Sequence, residues 1–262
     1  MSSRQEKMEA FGQLLDVIDE LRVKCPWDAK QTNESLRPNT IEEVYELSEA
    51  IVKNNCEEMA KELGDVLLHI CFYAKIGEEK QVFDMKTVCD RLREKLIYRH
   101  PHVFSSAKAD TSDQVEKNWE ALKLKEKGGN KTILSGVPAT LPSMIKAQRI
   151  QEKARNAGFD WEVREQVWEK VKEEIDEVQR ELDNADARRT QEEFGDLIFS
   201  LINAARLYDV NPDTALEHTN QKFIRRFNYV EAHTIGEGRT MKALPLEELE
   251  RLWQQAKQEE KE

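Results

Sequence analysis

Two sets of acidic residues with the same internal spacing stand out along this chain. Each set has the pattern E-E-x-x-E followed by E-x-x-D. The Glu that begins E-x-x-D lies sixteen positions after the last Glu of E-E-x-x-E. The sets are Glu43, Glu46, Glu62 and Asp65 in the first half, and Glu174, Glu177, Glu193 and Asp196 in the second. Acids three residues apart share one face of an α-helix, so each set supplies two carboxylate pairs. Four carboxylates in one place repel each other unless a cation lies among them.

Oxygen ligands of this kind favour a hard divalent cation, Mg²⁺ or Mn²⁺. Because Mg²⁺ held by carboxylates usually keeps positions for water and substrate phosphates, phosphate chemistry is the natural inference. Two plainer interpretations compete with a metal site. Surface glutamates often pair with a Lys four residues on, and Thr40-x-x-Glu43 could be a capping box. The capping box fits only the first set, because Thr40 aligns with Val171 in the second. Periodicity alone does not decide between a metal site and a solvated surface.

The acidic sets belong to a longer internal repeat. At a shift of 131 residues, positions 41–75 align with 172–206 without a gap. Two later blocks align in the same order, Lys95-Leu-Ile-Tyr-Arg99 with Lys222-Phe-Ile-Arg-Arg226 and the Trp119 segment with the Trp253 segment. Blocks in a constant order indicate a duplicated domain. Glycines and prolines between residues 128 and 142 mark the connection. We therefore predict an N-terminal domain over 1–130 and a C-terminal domain over 131–262.

The composition predicts long helices. Among 262 residues there are only 10 Gly and 7 Pro, and 35% are charged. Few helix breakers and many helix formers favour an all-α fold, here two four-helix-bundle-like domains in tandem. We expect helices near 5–23, 36–54, 57–77, 84–99 and 112–127, and then near 143–156, 163–184, 188–208, 212–230 and 246–260. Ser143 is the expected N-cap of the sixth of these.

The charge balance and the cysteines exclude several classes of protein. The net charge of −11 argues against a partner that is a nucleic-acid polymer, which requires a basic surface. No apolar run is long enough for a membrane span, and residues 1–24 contain no secretory segment. Four widely spaced cysteines suit reduced thiols rather than disulfides or a zinc site. We therefore expect a cytoplasmic protein without a membrane partner.

A helical wheel places the second acidic set beside an apolar stripe. Glu174 and Glu177 lie on the flank of the stripe, and Glu173 points almost opposite to it. The stripe of this helix consists of Val167, Val171, Ile175, Val178 and Leu182. On the next helix, the residues expected to face inward are Phe194, Leu197, Ile198 and Leu201. If the two stripes meet, the carboxylate pairs converge at the seam between the helices.

The second copy carries more positive charge than the first. Lys170 aligns with Asn39, while Arg188 and Arg189 align with Glu57 and Glu58. Phosphate transfer needs cations beyond the metal to hold the polyphosphate. The contrast predicts that the second copy does the chemistry, although each cation could instead form a weak surface ion pair. Trp253 is expected to be a packing anchor, with stacking on a nucleobase as a less favoured alternative.

These features resemble the all-α nucleoside triphosphate pyrophosphatases, and within them the bacterial MazG proteins. The acidic motif on consecutive helices and the tandem duplication carry the resemblance. So do the segments Cys25-Pro-Trp-Asp28, Gln31-Thr32, Ser35-Leu36-Arg37-Pro38, Ile41-Glu42-Glu43 and Asn156-Ala-Gly-Phe-Asp-Trp161. One departure is Asn33, where the family pattern has His.

The resemblance implies Mg²⁺-dependent hydrolysis of ribo- and deoxyribonucleoside triphosphates, ATP among them, to monophosphate and pyrophosphate. It further implies a homodimer whose activity lies in the second copy. Carried over, the metal ligands are Glu174, Glu177, Glu193 and Asp196. The polyphosphate contacts are Lys170, Arg189, Lys222 and Arg226, and Trp253 contacts the nucleotide. Glu173 lies beside the ligands with its catalytic role open. The alternative function is a non-catalytic, nucleotide-sensing or partner-binding helical module.

Overall fold

A computed structural model gives the fold over residues 1–105, 111, 114–115, 118–119, 122–123 and 131–260. The chain divides into two compact units, Met1–Val115 and Glu116–Glu262. The described residues contain helices and turns but no strand, which confirms the predicted all-α class. Most of the predicted helix over 112–127 and the predicted domain boundary at residue 130 lie outside the described residues.

The first unit is built around a helical hairpin. Its helices are α1 (Arg4–Lys24), α2 (Asn33–Val52), α3 (Cys56–Glu79), α4 (Met85–Arg99) and the short α5 (Pro101–Phe104). Helices α2 and α3 are joined by only three residues and pack along one another, as a short connection requires. The buried core of this unit comprises Ile18, Leu36, Cys71, Phe72 and Ile76.

Helix α2 begins earlier than the sequence suggested. Thr32 is its N-cap, and the Thr32 hydroxyl accepts a hydrogen bond from the Ser35 backbone N–H. Thr40 lies inside the helix, where its hydroxyl donates to the Leu36 carbonyl oxygen at 3.0 Å. The capping-box interpretation of Thr40 and Glu43 is therefore wrong, and Glu43 remains available to the acidic set.

The second unit repeats the hairpin. Its helices are α6 (Ser143–Asn156), α7 (Val167–Asn184), α8 (Ala187–Leu207), α9 (Pro212–Ala232) and α10 (Leu246–Glu259). Helices α7 and α8 pack along one another, α6 packs on α8, and α9 packs on α10. Ser143 is the first residue of α6 and makes no capping hydrogen bond, so the expected N-cap is wrong. The bounds of these helices otherwise follow the periodicity closely.

The apolar stripes of α7 and α8 are only partly covered. Val167, Val171 and Val178 are buried, and Leu197 packs against the same core. The other predicted inward residues are 43–50% exposed within this chain, namely Ile175, Leu182, Phe194, Ile198 and Leu201. The expectation that both stripes face the core of their own unit is therefore wrong for these five residues. The α7–α8 hairpin buries one edge of its apolar surface and leaves the other open.

Candidate functional site

The α7–α8 hairpin gathers three of the four predicted carboxylates. Carboxylate oxygens of Glu174, Glu177 and Glu193 all lie within 4.8 Å of one another. The turn between the helices holds Ala185 in the left-handed region at φ 56°, and Asp186 caps α8 through the backbone N–H groups of Arg188 and Arg189. This tight reversal places one carboxylate pair of α7 opposite Glu193 of α8.

The carboxylates of this cluster repel one another. Burial raises the pKa of the Glu193 carboxyl, and the nearby carboxylates of Glu177, Asp196 and Glu174 raise it further. Lys170 offsets part of this charge, because its Nζ lies 2.7 Å from Glu174 Oε1. That hydrogen bond raises the pKa of Lys170. Several converging carboxylate oxygens with one close ammonium are a donor set that suits a hard divalent cation.

Two predicted residues lie at the margin of this group. Asp196 is exposed and is not among the three carboxylates that approach within 4.8 Å. Glu173 is also exposed, as the helical wheel indicates, and its Oε1 accepts from Lys170 Nζ at 3.2 Å. Their predicted parts in catalysis remain predictions.

The first unit holds a related cluster with a different membership. Here Glu43, Glu62 and Asp65 have carboxylate oxygens within 4.8 Å of one another, while Glu46 is exposed and outside the group. Glu62 is only 1% exposed, and its Oε1 accepts from Lys61 Nζ at 2.8 Å. Its Oε2 is buried and has no hydrogen-bond partner in the described part of the chain. The hairpin scaffold thus concentrates acids in both units.

The predicted polyphosphate and nucleotide contacts fall into separate groups. Lys170 belongs to the acidic cluster, and Arg189 is exposed at the start of α8, with its Nε 3.7 Å from Asp186 Oδ2. The α9–α10 pair brings the Arg226 guanidinium to 5.9 Å from the centre of the Trp253 ring. Lys222 lies on α9 one turn before Arg226.

In α9 and α10, Arg226 and Trp253 are already engaged within the unit. Arg226 donates to Glu260 at 2.7 Å, and the Trp253 ring lies 5.1 Å from that of Phe223. Within the described residues, no hydrogen bond or ion pair joins Lys222, Arg226 or Trp253 to the acids of α7 and α8. Packing of Trp253 on Phe223 agrees with the expected anchor.

The sequence reasoning missed one buried acid. Glu181 is 8% exposed, and it follows Glu174 by seven residues and Glu177 by four, which is the same helix face. Its counterpart in the first unit is Ala50. Two sequence signals could have found it, namely its position on the flank of the stripe and the replacement of an alanine by an acid between the two copies.

The segment Asn156–Trp161 is fixed to α8 by an ion pair between Asp160 and the largely buried side chain of Arg206. Arg206 Nη2 lies 2.6 Å from Asp160 Oδ1, and Arg206 Nη1 lies 3.0 Å from Asp160 Oδ2. The Asn203 side-chain oxygen accepts two further hydrogen bonds from Arg206. Because α8 also carries Glu193, this pair ties the loop before α7 to the helix that positions the acids.

The comparisons with known proteins agree with this architecture of two helical units, each with a carboxylate-bearing hairpin. The sequence profile of the MazG nucleotide pyrophosphohydrolase domain matches residues 31–104 and again residues 163–231. Each match contains one of the two acidic clusters. The chain belongs to the MazG family, which is a family of enzymes.

Several relatives align over almost the whole chain. One is the nucleoside triphosphate pyrophosphohydrolase/pyrophosphatase MazG of Thermotoga maritima, 42% identical over 94% of this chain and 95% of that protein. Another is the nucleoside triphosphate pyrophosphohydrolase of Escherichia coli K12, 38% identical over 97% and 99%. The uncharacterized Bacillus subtilis protein YabN is 42% identical over 98% of this chain and 54% of its own length. None of the helices in the described residues is both long and apolar enough to span a membrane.

Proposed function

We propose that this protein hydrolyses nucleoside triphosphates to nucleoside monophosphate and pyrophosphate with Mg²⁺, which Mn²⁺ can replace. The observation that carries the proposal is the cluster of Glu174, Glu177 and Glu193 in a chain whose relatives bear the name of that activity. Substrates with different bases and both sugars are expected, as is a cytoplasmic location.

The residues of the second unit divide into two roles. Glu174, Glu177, Glu193 and Asp196 would hold the cation, which supplies charge stabilisation at the phosphates and an activated water. Lys170, Arg189, Lys222 and Arg226 would bind the negative charge of the polyphosphate, and Trp253 would contact the nucleoside. Lys170 would exchange its Glu174 contact for a phosphate oxygen as the cation enters. Glu173, its second partner, would hold the freed ammonium in place.

The product distinguishes this activity from other triphosphate hydrolysis. Purified protein incubated with a panel of ribo- and deoxyribonucleoside triphosphates and Mg²⁺ should release pyrophosphate and monophosphate. Release of orthophosphate and diphosphate would contradict the proposal. Tight triphosphate binding without hydrolysis under either Mg²⁺ or Mn²⁺ would instead favour the non-catalytic, nucleotide-sensing or partner-binding module.

We also assign the activity to the second unit. Lys170 contacts Glu174 there, whereas the aligned position of the first unit is Asn39. Glu174→Gln and Glu43→Gln are matched variants because the two residues align. We expect Glu174→Gln to lower kcat about 100-fold or more, since it removes a buried charged ligand. Glu43→Gln should keep most of the activity, and an equal loss at unchanged helicity would refute the assignment.

A homodimer is supported by the uncovered face of α7 and α8. Ile175, Phe194 and Ile198 are 45–50% exposed in the single chain, and apolar surface of this extent favours a partner. A Cβ atom on Gly195 would meet no atom within 4 Å, so nothing within the unit explains a glycine in this helix. Light scattering should give twice the chain mass, and Ile198→Glu should convert the protein to a monomer. A monomeric parent protein would overturn this assignment.

A further inference from the structure

The second unit contains an apolar cavity, lined by residues of α6 and α8 and by the loop that joins α6 to α7. Its volume of about 520 Å³ is within the range of small-molecule sites. The apolar lining residues are Leu134, Ile150, Ala154, Phe159, Trp161 and Phe199. A cavity with several aromatic rings favours a ligand that is itself a flat ring.

One polar group at this cavity has an unused acceptor. Gln151 of α6 is 6% exposed, and its Nε2 donates to the Phe199 backbone carbonyl oxygen at 2.8 Å. Because that carbonyl can only accept, the amide nitrogen faces it and Gln151 Oε1 is turned away. Oε1 is buried and has no hydrogen-bond partner among the residues that the structure describes. A buried acceptor without a donor is costly, and an N–H group of a ligand would remove that cost.

A hydrogen-bond donor lines the same cavity. The Asn203 side-chain oxygen accepts from Arg206 Nε at 3.1 Å and from Arg206 Nη2 at 2.7 Å, and this fixes the orientation of the Asn203 amide. The Asn203 amide nitrogen donates to no acceptor within residues 131–260 or the other described ranges. It is available to a ligand that carries an acceptor as well as an N–H group.

The cavity lies on the strip of α8 that also carries Asp196. Asp196, Phe199 and Asn203 are spaced by three and four residues, so they share one face of the helix. Asn203 is seven residues from Asp196, or about 10 Å along the helix axis. A sugar and its phosphates can span such a separation. A nucleotide whose phosphates lie at the acids can therefore place its base in the cavity.

We propose that this cavity is a nucleobase site. Its aromatic residues contact the ring, Gln151 Oε1 accepts an N–H of the base, and the Asn203 amide donates to an acceptor on the same edge. Protein pockets hold extruded bases in this way, by stacking and by hydrogen bonds to the pairing edge. Each natural base carries an N–H beside an acceptor on that edge, so the site takes any of them and disfavours a ring without an N–H.

Two sources could supply the base, namely the hydrolysed triphosphate or a separate nucleoside. Only the first of these rests on the proposed function.

Isothermal titration of the full chain with two nucleosides tests the site. Purine riboside is adenosine without its amino group, and its ring carries no N–H. Adenosine should bind the parent chain about 10-fold more tightly than purine riboside, because only adenosine provides a donor for Gln151 Oε1. Absence of adenosine binding, or equal affinity for the two nucleosides, would overturn the proposal.

Two tryptophan variants locate the bound nucleoside. Trp161→Ala should weaken adenosine binding about 10-fold through lost stacking. The matched control is Trp168→Ala, since Trp168 is 44% exposed, close to the 39% of Trp161, and does not line the cavity. Equal effects of the two variants would reject the site. Loss of adenosine binding in Trp253→Ala but not in Trp161→Ala would place the base at Trp253 and also reject it.

A variant of Gln151 tests the hydrogen bond. Gln151→Met keeps the length of the side chain and removes the amide oxygen. We expect it to bind adenosine and purine riboside with equal affinity, and a retained preference for adenosine would refute the assigned acceptor. If Gln151→Met does not fold, as judged by its helicity, the comparison of the two nucleosides on the parent chain and Trp161→Ala decides.

A triphosphate that cannot release pyrophosphate distinguishes the two sources. With α,β-methylene ATP and Mg²⁺, one bound equivalent per chain that Trp161→Ala weakens would identify the base of the triphosphate as the ligand. Two equivalents, of which Trp161→Ala loses one, would identify a separate nucleoside site. An unchanged number and affinity in Trp161→Ala would reject the cavity as a base site.

The outcomes also separate this inference from the proposed function. Binding of adenosine at Trp161 without any release of pyrophosphate from triphosphates would support the cavity and reject the hydrolysis. Release of pyrophosphate by a chain that binds the two nucleosides equally would reject the cavity alone.

Discussion

The ion pair between Asp160 and Arg206 should be a major contributor to the stability of the second unit. The Arg206 side chain is 7% exposed and that of Asp160 is 22% exposed. The variant Asp160→Asn keeps the shape of the side chain and removes its charge. Arg206 then has only neutral amide oxygens as acceptors in this group, that of Asn203 among them.

The structure sets the size of the effect. Removal of one partner from a buried pair costs about 3–5 kcal/mol. The loss of stability in Asp160→Asn should lie at the lower end of this range, about 3 kcal/mol. Asp160 is partly exposed, and Asn203 still accepts from Arg206. For a unit of this size that loss corresponds to a midpoint lower by about 10 °C. The segment before α7 should also loosen, since the pair is its link to α8.

The effect should depend on pH. Burial raises the pKa of Asp160, but the hydrogen bonds from Arg206 and from the Trp161 backbone N–H outweigh it and hold the pKa below the usual 3.8. A lowered native pKa stabilises the folded state above the unfolded value, and this stabilisation is lost as the pH falls through the native value. The difference between the parent chain and Asp160→Asn should therefore be full at neutral pH and shrink below about pH 4.

Scanning calorimetry at several pH values measures both the size and the pH dependence. The control is Glu192→Gln, which removes the surface pair of Arg188 and Glu192. The side chain of Arg188 is 89% exposed and that of Glu192 is 58% exposed. That pair should be worth less than about 0.5 kcal/mol. If Asp160→Asn shifts the midpoint no more than this control, or if its effect is the same at pH 3 and pH 7, the assignment of a stabilising buried pair is wrong.

Two further predictions concern Trp253 and the helix glycines. Trp253→Ala should raise KM for triphosphates about 10-fold through lost stacking, while kcat changes little. Trp253→Phe should recover part of the lost affinity, and an unchanged KM in Trp253→Ala would leave Trp253 as a packing residue on Phe223 only. Gly77→Ala should destabilise the first unit by about 1–2 kcal/mol, because the new Cβ atom would lie 2.6 Å from the Phe83 ring. Gly12→Ala should instead stabilise α1 by about 0.5–1 kcal/mol, because its Cβ atom would meet no atom within 4 Å. Equal midpoints for the two alanine variants in chemical denaturation would contradict this reading of the glycines.

The helices could be predicted because their signals are local. Apolar residues three and four apart, a proline at the first position of α9 and the Ala157-Gly158 stop after α6 all act within a few residues. The same periodicity could not tell what covers an apolar face. Ile175 and Phe194 satisfy the helical pattern as fully as Val171 does, yet only Val171 is buried by its own unit. Coverage depends on which surfaces meet, and that information is not local.

In the candidate site, too, local features could be predicted from the sequence and packing could not. Spacing by three places Glu174 and Glu177 on one face, and this much followed from the sequence. The exposure of Asp196 depends on how α8 is rotated against α7, which spacing does not determine. Glu181 does not follow from the repeat, because the repeat contains what the two copies share and this acid is a difference between them.

The two clusters also show that duplication preserved the carboxylates more strictly than their counter-charge. In the first unit Lys61 of α3 contacts Glu62, and in the second Lys170 of α7 contacts Glu174. Neither lysine has a counterpart in the other unit, where Glu192 and Asn39 stand at the aligned positions. In each unit the acid that contacts the lysine is also the most buried member of its cluster.

This correlation has a physical basis, because an ionised carboxylate removed from water is costly unless a cation or hydrogen-bond donors compensate it. In each unit the lysine therefore compensates the most buried acid, and the remaining acids of the cluster stay closer to solvent. A lysine on α7 leaves Glu193 of the second unit half-buried, with access to solvent, whereas the lysine on α3 holds the equivalent Glu62 inside the first unit. The same set of acids thus presents different ligands in the two units. This difference is a structural reason, independent of the arginines of α8, to expect the two copies to differ in their chemistry.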